Sequence, residues 1–262
     1  MLLGRNIEIW RANLDIDPDI ESQYWSVLNP AEKERANRFV KKQDQTRFIA
    51  GRGILRHLLG QYLDLSPQAI QFDYLPRGKP VLASDHSCPN LQFNVSHSHH
   101  LALYAFTDSG DGIGIDVECL RSLPQALSLA KRFFTKNEVS YLASLPSQQQ
   151  EAMFFQFWTA KEASLKATGE GLVGLQSIEI AVSAKNPNQF EVITGNPRMQ
   201  LSCFMPEKNV VAAVASLGNN DDLNPGQQID QATDTSNQWT VADRGLDAES
   251  LEKRLVFRNW DE

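Results

Sequence analysis

Two carboxylates stand one residue apart in the stretch GIGIDVE, at Asp116 and Glu118. Alternate side chains of a β-strand point to the same face, so these acids share one face while Ile115 and Val117 point the other way. Like charges this close repel each other unless a cation lies between them, and a hard divalent cation is the usual partner. The pair by itself also fits a polar outer strand face that leads into a loop.

A third carboxylate occurs in FWTAKEASLKATGEGL (157–172), where helical spacing brings Glu162 and Lys166 onto one face. The alternative for an isolated pair of this kind is an exposed ion pair, which contributes only about 0.3–0.5 kcal/mol. The predicted helix ends in a glycine-rich segment, where backbone can approach a ligand closely. Asp116, Glu118 and Glu162 together would give Mg²⁺ the oxygen ligands it prefers, with substrate phosphates in the remaining positions.

A hydroxyl and an imidazole, Ser96 and His97, stand at the end of the predicted strand in FNVSHSHH (93–100). With His99 and His100 nearby, a metal cluster is conceivable. We expect instead that one histidine is functional and that its neighbours are solvated. This interpretation predicts a hydroxyl and an imidazole presented together at a turn.

Basic residues in the first half of the chain form the fourth candidate group. Each alone is most simply a surface residue that aids solubility. A basic half that faces an acidic, metal-holding half nevertheless describes a site for a polyanion such as a diphosphate nucleotide. The residues are Arg35, Arg38, Arg47, Arg52, Arg77 and Lys79.

The hydrophobic pattern predicts strands and helices in an order that repeats. A first strand at 7–14 precedes a helical segment at 29–63 and four short strands between 70 and 106. The second half begins with the strand GIGIDVE, continues with helices near 125–133 and 149–168, and ends with four strands between 177 and 216. We therefore predict an α+β fold of two similar, pseudo-twofold halves, each with an antiparallel sheet and a long helix.

The predicted boundaries follow changes in this pattern. Residues 1–110 form an N-terminal half, and residues 111–218 form a C-terminal half with the acidic site and its helix. Residues 219–262 are polar and rich in Asn, Asp and Gln, a composition that cannot bury enough apolar surface to offset ordering entropy. We expect this tail to be disordered or loosely attached, with a short amphipathic helix at 246–260.

Composition excludes several classes of protein. The chain of 262 residues has a formal net charge of −7, which argues against a general nucleic-acid or anionic-membrane binder. No apolar run approaches the roughly 18 residues of a membrane span, and the first residues do not resemble a signal peptide. Three cysteines without C-x-x-C spacing indicate neither a disulfide framework nor a zinc knuckle. A cytoplasmic location is the expectation.

Four motifs in this order, GKP, FNVSHS, GIGIDVE and FWTAKEASLKATGEGL, resemble the signature motifs of the 4′-phosphopantetheinyl transferases. The resemblance is to the two-domain type that activates surfactin synthetase, and it covers residues 7–217. It implies an enzyme that uses coenzyme A as substrate and depends on Mg²⁺, with Mn²⁺ as an alternative ion. Asp116, Glu118 and Glu162 would hold the metal ion against the pyrophosphate of coenzyme A.

The resemblance also implies the contacts to coenzyme A. Lys166 would meet phosphate, as would Ser96 and His97, and Lys79 matches the lysine of the GKP turn. Arg35 stands where the family places a basic contact to the 3′-phosphate of the adenosine moiety. The family's second basic position is Glu32 here, so Arg35 is expected to act with Arg47 or Arg52.

The implied reaction is attack by a serine hydroxyl of an acyl, peptidyl or aryl carrier protein on the β-phosphorus of coenzyme A, which leaves 3′,5′-ADP. Glu162 is the expected base, and Lys166 and His97 would stabilise charge. The carriers would be those of fatty-acid, polyketide or nonribosomal peptide synthesis. We expect a monomer that docks an acidic carrier on AKRFFTKNE (130–138), unless its two phenylalanines are simply buried.

Two alternatives remain at this point. One is a non-catalytic module that binds coenzyme A or a carrier protein, although such a module has no need of the full set of acids. The other is a Mg²⁺-dependent hydrolase of nucleotide diphosphates, which would have no need of a surface for a carrier.

Overall fold

A computed structural model describes residues 7–83, 90–171, 174–183, 190–196 and 198–218, together with the backbone of 240–246. The first half contains three helices and five strands: β1 (Ile7–Asn13), α1 (Pro18–Val27), α2 (Pro30–Asn37), α3 (Lys42–Leu63), β2 (Phe72–Tyr74), β3 (Pro80–Leu82), β4 (Gln92–Ser98) and β5 (Leu101–Thr107). The second half repeats this order: β6 (Ile113–Cys119), α4 (Ala126–Phe133), α5 (Lys136–Ser144), α6 (Ser147–Thr168), β7 (Glu179–Val182), β8 (Phe190–Thr194), β9 (Met199–Glu207) and β10 (Val210–Leu217).

The two halves have the same sheet topology. In the first, the strands lie in the order β1-β5-β4, and in the second in the equivalent order β6-β10-β9. Each of these pairs is antiparallel, and each half adds a separate two-stranded hairpin, β2–β3 or β7–β8. The long helices α3 and α6 hold equivalent places and both contain 22 residues. The predicted α+β fold of two similar halves is thus confirmed.

Helices α1 and α5 are absent from the sequence prediction, although each carries a start signal. Pro18 lies in the first turn of α1, where its missing N–H costs no hydrogen bond. Thr135 caps α5 by accepting from the backbone of Glu138, whose carboxylate accepts from the backbone of Thr135 in return. The segments that form α1 and α5 are therefore helical although their apolar periodicity is weak.

The two sheets pack against each other through β6. Its residues Ile113, Ile115 and Val117 are buried in a cluster that also contains apolar side chains of β1, β5 and β10. The alternation predicted for GIGIDVE places the acids on the opposite face, toward α6. One strand therefore joins the halves with one face and carries the candidate acids on the other.

Close packing of β6 against α6 explains the glycines of GIGIDVE. A β-carbon at Gly114 would lie 2.0 Å from the carbonyl oxygen of Ala163, and one at Gly112 would lie 2.3 Å from that of Ala167. Only glycine allows a strand backbone to come this near to a helix backbone. The glycines thereby bring Glu162 and Lys166 of α6 down onto Asp116.

One segment of the predicted tail is part of the fold. Residues Thr240–Leu246 form a strand, β11, which pairs with β1 in parallel and extends the first sheet to β11-β1-β5-β4. This segment is attached to the N-terminal half, where the sequence predicted no element. The rest of the tail, including most of the helix predicted at 246–260, lies outside the described residues. Within the described part of the chain, no helix combines the length and apolarity of a membrane span.

Candidate active site

The candidate site lies where β4 of the first half meets β6 of the second. Side chains, rather than a backbone ladder, connect the two strands. Asn94 Oδ1 accepts from the backbone N–H of Ile115 at 2.8 Å, and Ser96 Oγ donates to Asp116 Oδ1 at the same distance. Ser98 Oγ donates to Glu118 at 3.2 Å. The sequence prediction missed Asn94 and Ser98, which the period-2 alternation around Ser96 in FNVSHS identifies.

We call the junction between β4 and β6 the seam, and Lys166 is its central cation. Its Nζ donates to Asp116 Oδ1 at 2.7 Å, to the carbonyl oxygen of Ile115 at 3.1 Å and to Ser96 Oγ at 3.2 Å. The Asp116 side chain is 9% exposed, whereas the Lys166 side chain is 28% exposed. The ammonium group is thus fixed on the buried acid by three hydrogen bonds, while its side chain is partly accessible to a ligand. Ser96, Asp116 and Lys166, which the sequence analysis assigned to one site through separate contacts to coenzyme A and a metal ion, contact one another directly in the structure.

Glu162 faces the same acids from α6. Burial, together with the negative charges of Asp116 and Glu118 and against the positive charge of Lys166, raises the pKa of Glu162 to about 7. Burial also raises the pKa of Asp116, against the stabilising effect of Lys166 and Ser96 on its ionised form. The three predicted acids therefore lie in mutual electrostatic contact, with an excess of negative charge that favours a cation.

The three acids have the right chemistry for a metal ion, but they are not all in position to bind one. Carboxylate oxygens are suitable ligands for Mg²⁺. Among the described residues, however, no three side chains of His, Cys, Asp or Glu are gathered closely enough to hold an ion as they stand. Glu118 is instead paired with Arg121: the distance from Arg121 Nη1 to Glu118 Oε2 is 2.9 Å. Arg121, which the sequence prediction missed, also stacks over Phe155 at 4.8 Å.

His97 is exposed near the cations of the seam. Partial desolvation and the charge of Lys166 lower its pKa, and the charge of Arg35 acts in the same direction. A neutral imidazole keeps one N–H, which is suited to donate a hydrogen bond to a phosphate oxygen. His99 has a positive φ of 54° in the β4–β5 turn, and His100 lies 3.2 Å from Glu207. Among these three, His97 has the position of a site residue.

Lys79 has a different environment from the one predicted. Its Nζ donates to the carbonyl oxygens of Ile113 at 2.9 Å and of Lys166 at 2.7 Å, so two of its three N–H groups bond to backbone of the other half. Burial, followed by the charge of Lys166, lowers the pKa of Lys79 to about 8. A direct contact of Lys79 with coenzyme A remains a prediction, and the structure gives it other partners.

The predicted adenosine contacts separate into one open residue and two that are already paired. Arg35 is exposed, stacks over Phe48 at 5.2 Å and, with Arg38 and Phe39, lines a cavity of about 440 Å³. Arg47 makes a two-point ion pair with Asp15, at 2.7 and 3.0 Å. The cavity favours Arg35 over Arg47 as an anion contact.

Arg52 is also engaged, through the residue that departs from the family pattern. Glu32 is buried and lies 3.4 Å from Arg52 and 2.8 Å from the fully buried Arg56. Both guanidinium groups stack over Phe72, at 4.8 and 5.3 Å. Glu32 therefore holds α2 against α3, which makes Arg52 part of the packing between helices rather than an open phosphate ligand.

Comparison with known proteins identifies the family. Residues 112–215 match the model of the 4′-phosphopantetheinyl transferase superfamily, and residues 19–108 match that of the 4′-phosphopantetheinyl transferase N-terminal region. The 4′-phosphopantetheinyl transferase HetI of Nostoc sp. is 43% identical over 217 residues, which is 83% of this chain and 90% of that protein. The chain therefore belongs to the 4′-phosphopantetheinyl transferase family and is a transferase of that type, as the four motifs predicted.

More distant relatives match shorter segments. The 4′-phosphopantetheinyl transferase Sfp of Bacillus subtilis is 33% identical over 150 residues, which is 57% of this chain and 64% of that protein. The human L-aminoadipate-semialdehyde dehydrogenase-phosphopantetheinyl transferase is 34% identical over 61% of this chain and 54% of its own. The solved holo-[acyl-carrier-protein] synthase of Thermotoga maritima aligns over 47% of this chain and 77% of its own, with a TM-score of 0.34 and 19% identity.

Proposed function

We propose that this chain transfers the 4′-phosphopantetheine group of coenzyme A to a serine hydroxyl of an apo carrier protein. The carrier oxygen forms a bond to the β-phosphorus, the bond from that phosphorus to the bridging oxygen breaks, and 3′,5′-ADP leaves with the electron pair. The observation that carries this proposal is the meeting of Lys166, Asp116 and Glu162 at the seam between the halves.

Lys166 is proposed to bind the phosphate that is attacked. Its ammonium group is held by Asp116, by Ser96 and by the carbonyl of Ile115, and its side chain is 28% exposed, so it binds a phosphate by exchanging the 3.2 Å bond to Ser96 for one to a phosphate oxygen. Ser96 and His97 stand on the adjoining strand and are proposed to bind the same diphosphate. Charge that develops on the leaving 3′,5′-ADP would thus be met by Lys166 and His97, since the hydroxyl proton of Ser96 is directed to Asp116.

Glu162 is proposed to accept the proton of the carrier serine. A base is most effective when its pKa is near the working pH, and in the metal-free site burial beside two other acids brings Glu162 to that range, whereas a bound cation would lower this pKa and make Glu162 a weaker base. Glu162 lies one helical turn before Lys166 on the same face of α6, which supports the proposal that the base stands beside the phosphate. Proton acceptance and phosphate binding then come from neighbouring turns of α6.

A divalent cation is proposed to complete the site, with Asp116, Glu118 and Glu162 as its protein ligands. Mg²⁺, or Mn²⁺ in its place, would supply charge neutralisation for the diphosphate. Glu118 first has to leave Arg121, which occupies one of its oxygens. Asp116 is paired with Lys166, but the repulsion of Glu162 by Asp116 and Glu118, which contributes to its raised pKa, is what such an ion would relieve.

The surface for the carrier is proposed on α4, beside the seam. Phe134 is buried in the core, so it does not contribute to that surface. Phe133 is partly exposed, with Trp158 against its edge at 5.7 Å and Arg132 over its face at 5.1 Å. Lys131 and Lys136 are exposed nearby. An aromatic side chain with three cations around it suits an acidic helix with an apolar stripe.

The test is incubation of the protein with coenzyme A, Mg²⁺ and an apo carrier, followed by mass spectrometry of the carrier. The proposal predicts a gain of one phosphopantetheine group and release of 3′,5′-ADP. A carrier of unchanged mass with intact coenzyme A would favour the binding module. An unchanged carrier with free phosphopantetheine in solution would favour a hydrolase.

A further inference from the structure

The β2–β3 hairpin of the first half reaches the end of the site helix in the second. Residues 75–79 form its tip. A β-carbon at Gly171 would lie 2.7 Å from Arg77 Cδ, and one at Gly169 would lie 3.9 Å from Leu75 Cδ1. These glycines, both at positive φ, thus admit side chains of the hairpin to the C-terminal end of α6. The glycine-rich segment after the helix has a packing role that the sequence did not predict.

Lys79 makes the polar contact of this junction. The last carbonyls of a helix have no partner within it, and Lys166 O is one of them in α6, which ends at Thr168. Lys79 donates to that oxygen at 2.7 Å, and its positive charge suits the negative end of the helix. Its second bond, to the carbonyl of Ile113, reaches the first residue of β6. One ammonium group thus joins the two elements that carry the acids and Lys166.

Lys79 caps the end of α6 by donating to the carbonyl oxygen of Lys166, the residue whose side chain binds Asp116. The backbone of Lys166 is held from one side by Lys79, and its ammonium group is held from the other by Asp116 and Ser96. Lys79 is itself largely desolvated and faces the like charge of Lys166. A buried cation is unfavourable without such partners, so the contact with the two carbonyls determines where Lys79 lies.

We propose that Lys79 is a positioning residue that joins the two halves and sets the place of Lys166, and that it is not a ligand of coenzyme A. The expected effect of Lys79 on turnover rests on the proposed function. The contact between the halves is a separate claim, which is testable without any reaction.

The kinetic test replaces Lys79 by Met, which is one atom shorter and has no donors, and by Gln, which is neutral and keeps the two donors of its amide. For Lys79→Met we expect kcat to fall at least about tenfold while the Kd for coenzyme A stays within about threefold, because a displaced Lys166 weakens transition-state contacts more than ground-state binding. Lys79→Gln should fall between Lys79→Met and wild type. Lys208→Met, in an exposed turn, is the control for loss of a lysine charge.

A Kd for coenzyme A weakened about tenfold or more with unchanged kcat would make Lys79 a substrate ligand and overturn the proposal. Unchanged kcat and Kd in Lys79→Met would overturn it as well.

A measurement on the wild-type protein covers the case in which the variants do not fold. Site-resolved reductive methylation without any ligand should modify Lys79 much more slowly than Lys208, and addition of coenzyme A should leave the rate at Lys79 unchanged. Fast modification that coenzyme A suppresses would contradict the proposal. Absence of transfer by the wild-type protein would refute the proposed function, while the labelling result would still decide the contact between the halves.

Discussion

Glu162→Gln should stabilise the protein at alkaline pH while it abolishes transfer. The ionised form of Glu162 is disfavoured in the fold, since its pKa rises from the usual 4.5 to about 7. Each tenfold change in a protonation equilibrium is worth about 1.4 kcal/mol, so a fully buried group would be destabilised by about 3 kcal/mol when ionised. Because the side chain is partly exposed, solvent screening reduces this to about 1–2 kcal/mol.

The sign of the pH dependence follows from the raised pKa. The folded protein binds the proton of Glu162 more tightly than the unfolded chain does, so the penalty is complete above pH 7 and is lost as the pH falls toward 4.5. Thermal unfolding without divalent cations should therefore give Glu162→Gln a Tm about 3–6 °C above wild type at pH 8, and nearly the same Tm at pH 5.

The matched control is Glu151→Gln, which removes a carboxylate from the same helix at a distance from Asp116 and Glu118. It should leave the Tm at pH 8 unchanged. Equal or lower stability of Glu162→Gln at pH 8 would refute the inference that the three acids are held together against their own repulsion.

Three further outcomes are expected. Arg121→Met should lower the Mn²⁺ concentration needed for half-maximal binding, measured by calorimetry, because Glu118 is released from its ion pair; weaker binding would show that Arg121 supports the site. His97→Ala should raise KM for coenzyme A more than it lowers kcat, since its proposed contact is to phosphate that is charged in the ground state, and an unchanged KM would speak against that contact. Truncation after Gly218 should keep transfer activity, because the proposed site residues precede it, and should lower the Tm modestly by uncovering β1; loss of activity would place part of the tail in the site.

Much of the fold was predictable because its strongest elements have simple periods. The run LALYAFT is buried at every position of β5, and the apolar pattern of α6 extends over 22 residues. The pattern failed where elements are short and only weakly apolar, as in α1 and α5. It also failed for β11, because strand pairing at a sheet edge depends on backbone and not on an apolar side-chain pattern.

The site was predictable in its residue types and less so in its pairings. The spacing of Asp116 and Glu118 placed both on one face of β6. The partner of Lys166 is Asp116, 50 residues away, although the helical spacing pointed to Glu162. The pairing of Glu118 with Arg121 and the bonds of Lys79 to backbone likewise depend on how the halves meet. A single sequence contains no spacing that encodes such contacts.

The central claim is that transfer takes place at the seam where Lys166 lies on Asp116. Its most direct test is the single-turnover rate of phosphopantetheine transfer to an apo carrier by Lys166→Met, with Lys208→Met as the control for charge. We expect a loss of about a thousandfold for Lys166→Met, because a fixed donor to the transition state is removed, and a wild-type rate for the control. A rate for Lys166→Met within a few-fold of wild type, in a protein that is still folded, would show that transfer does not depend on this lysine.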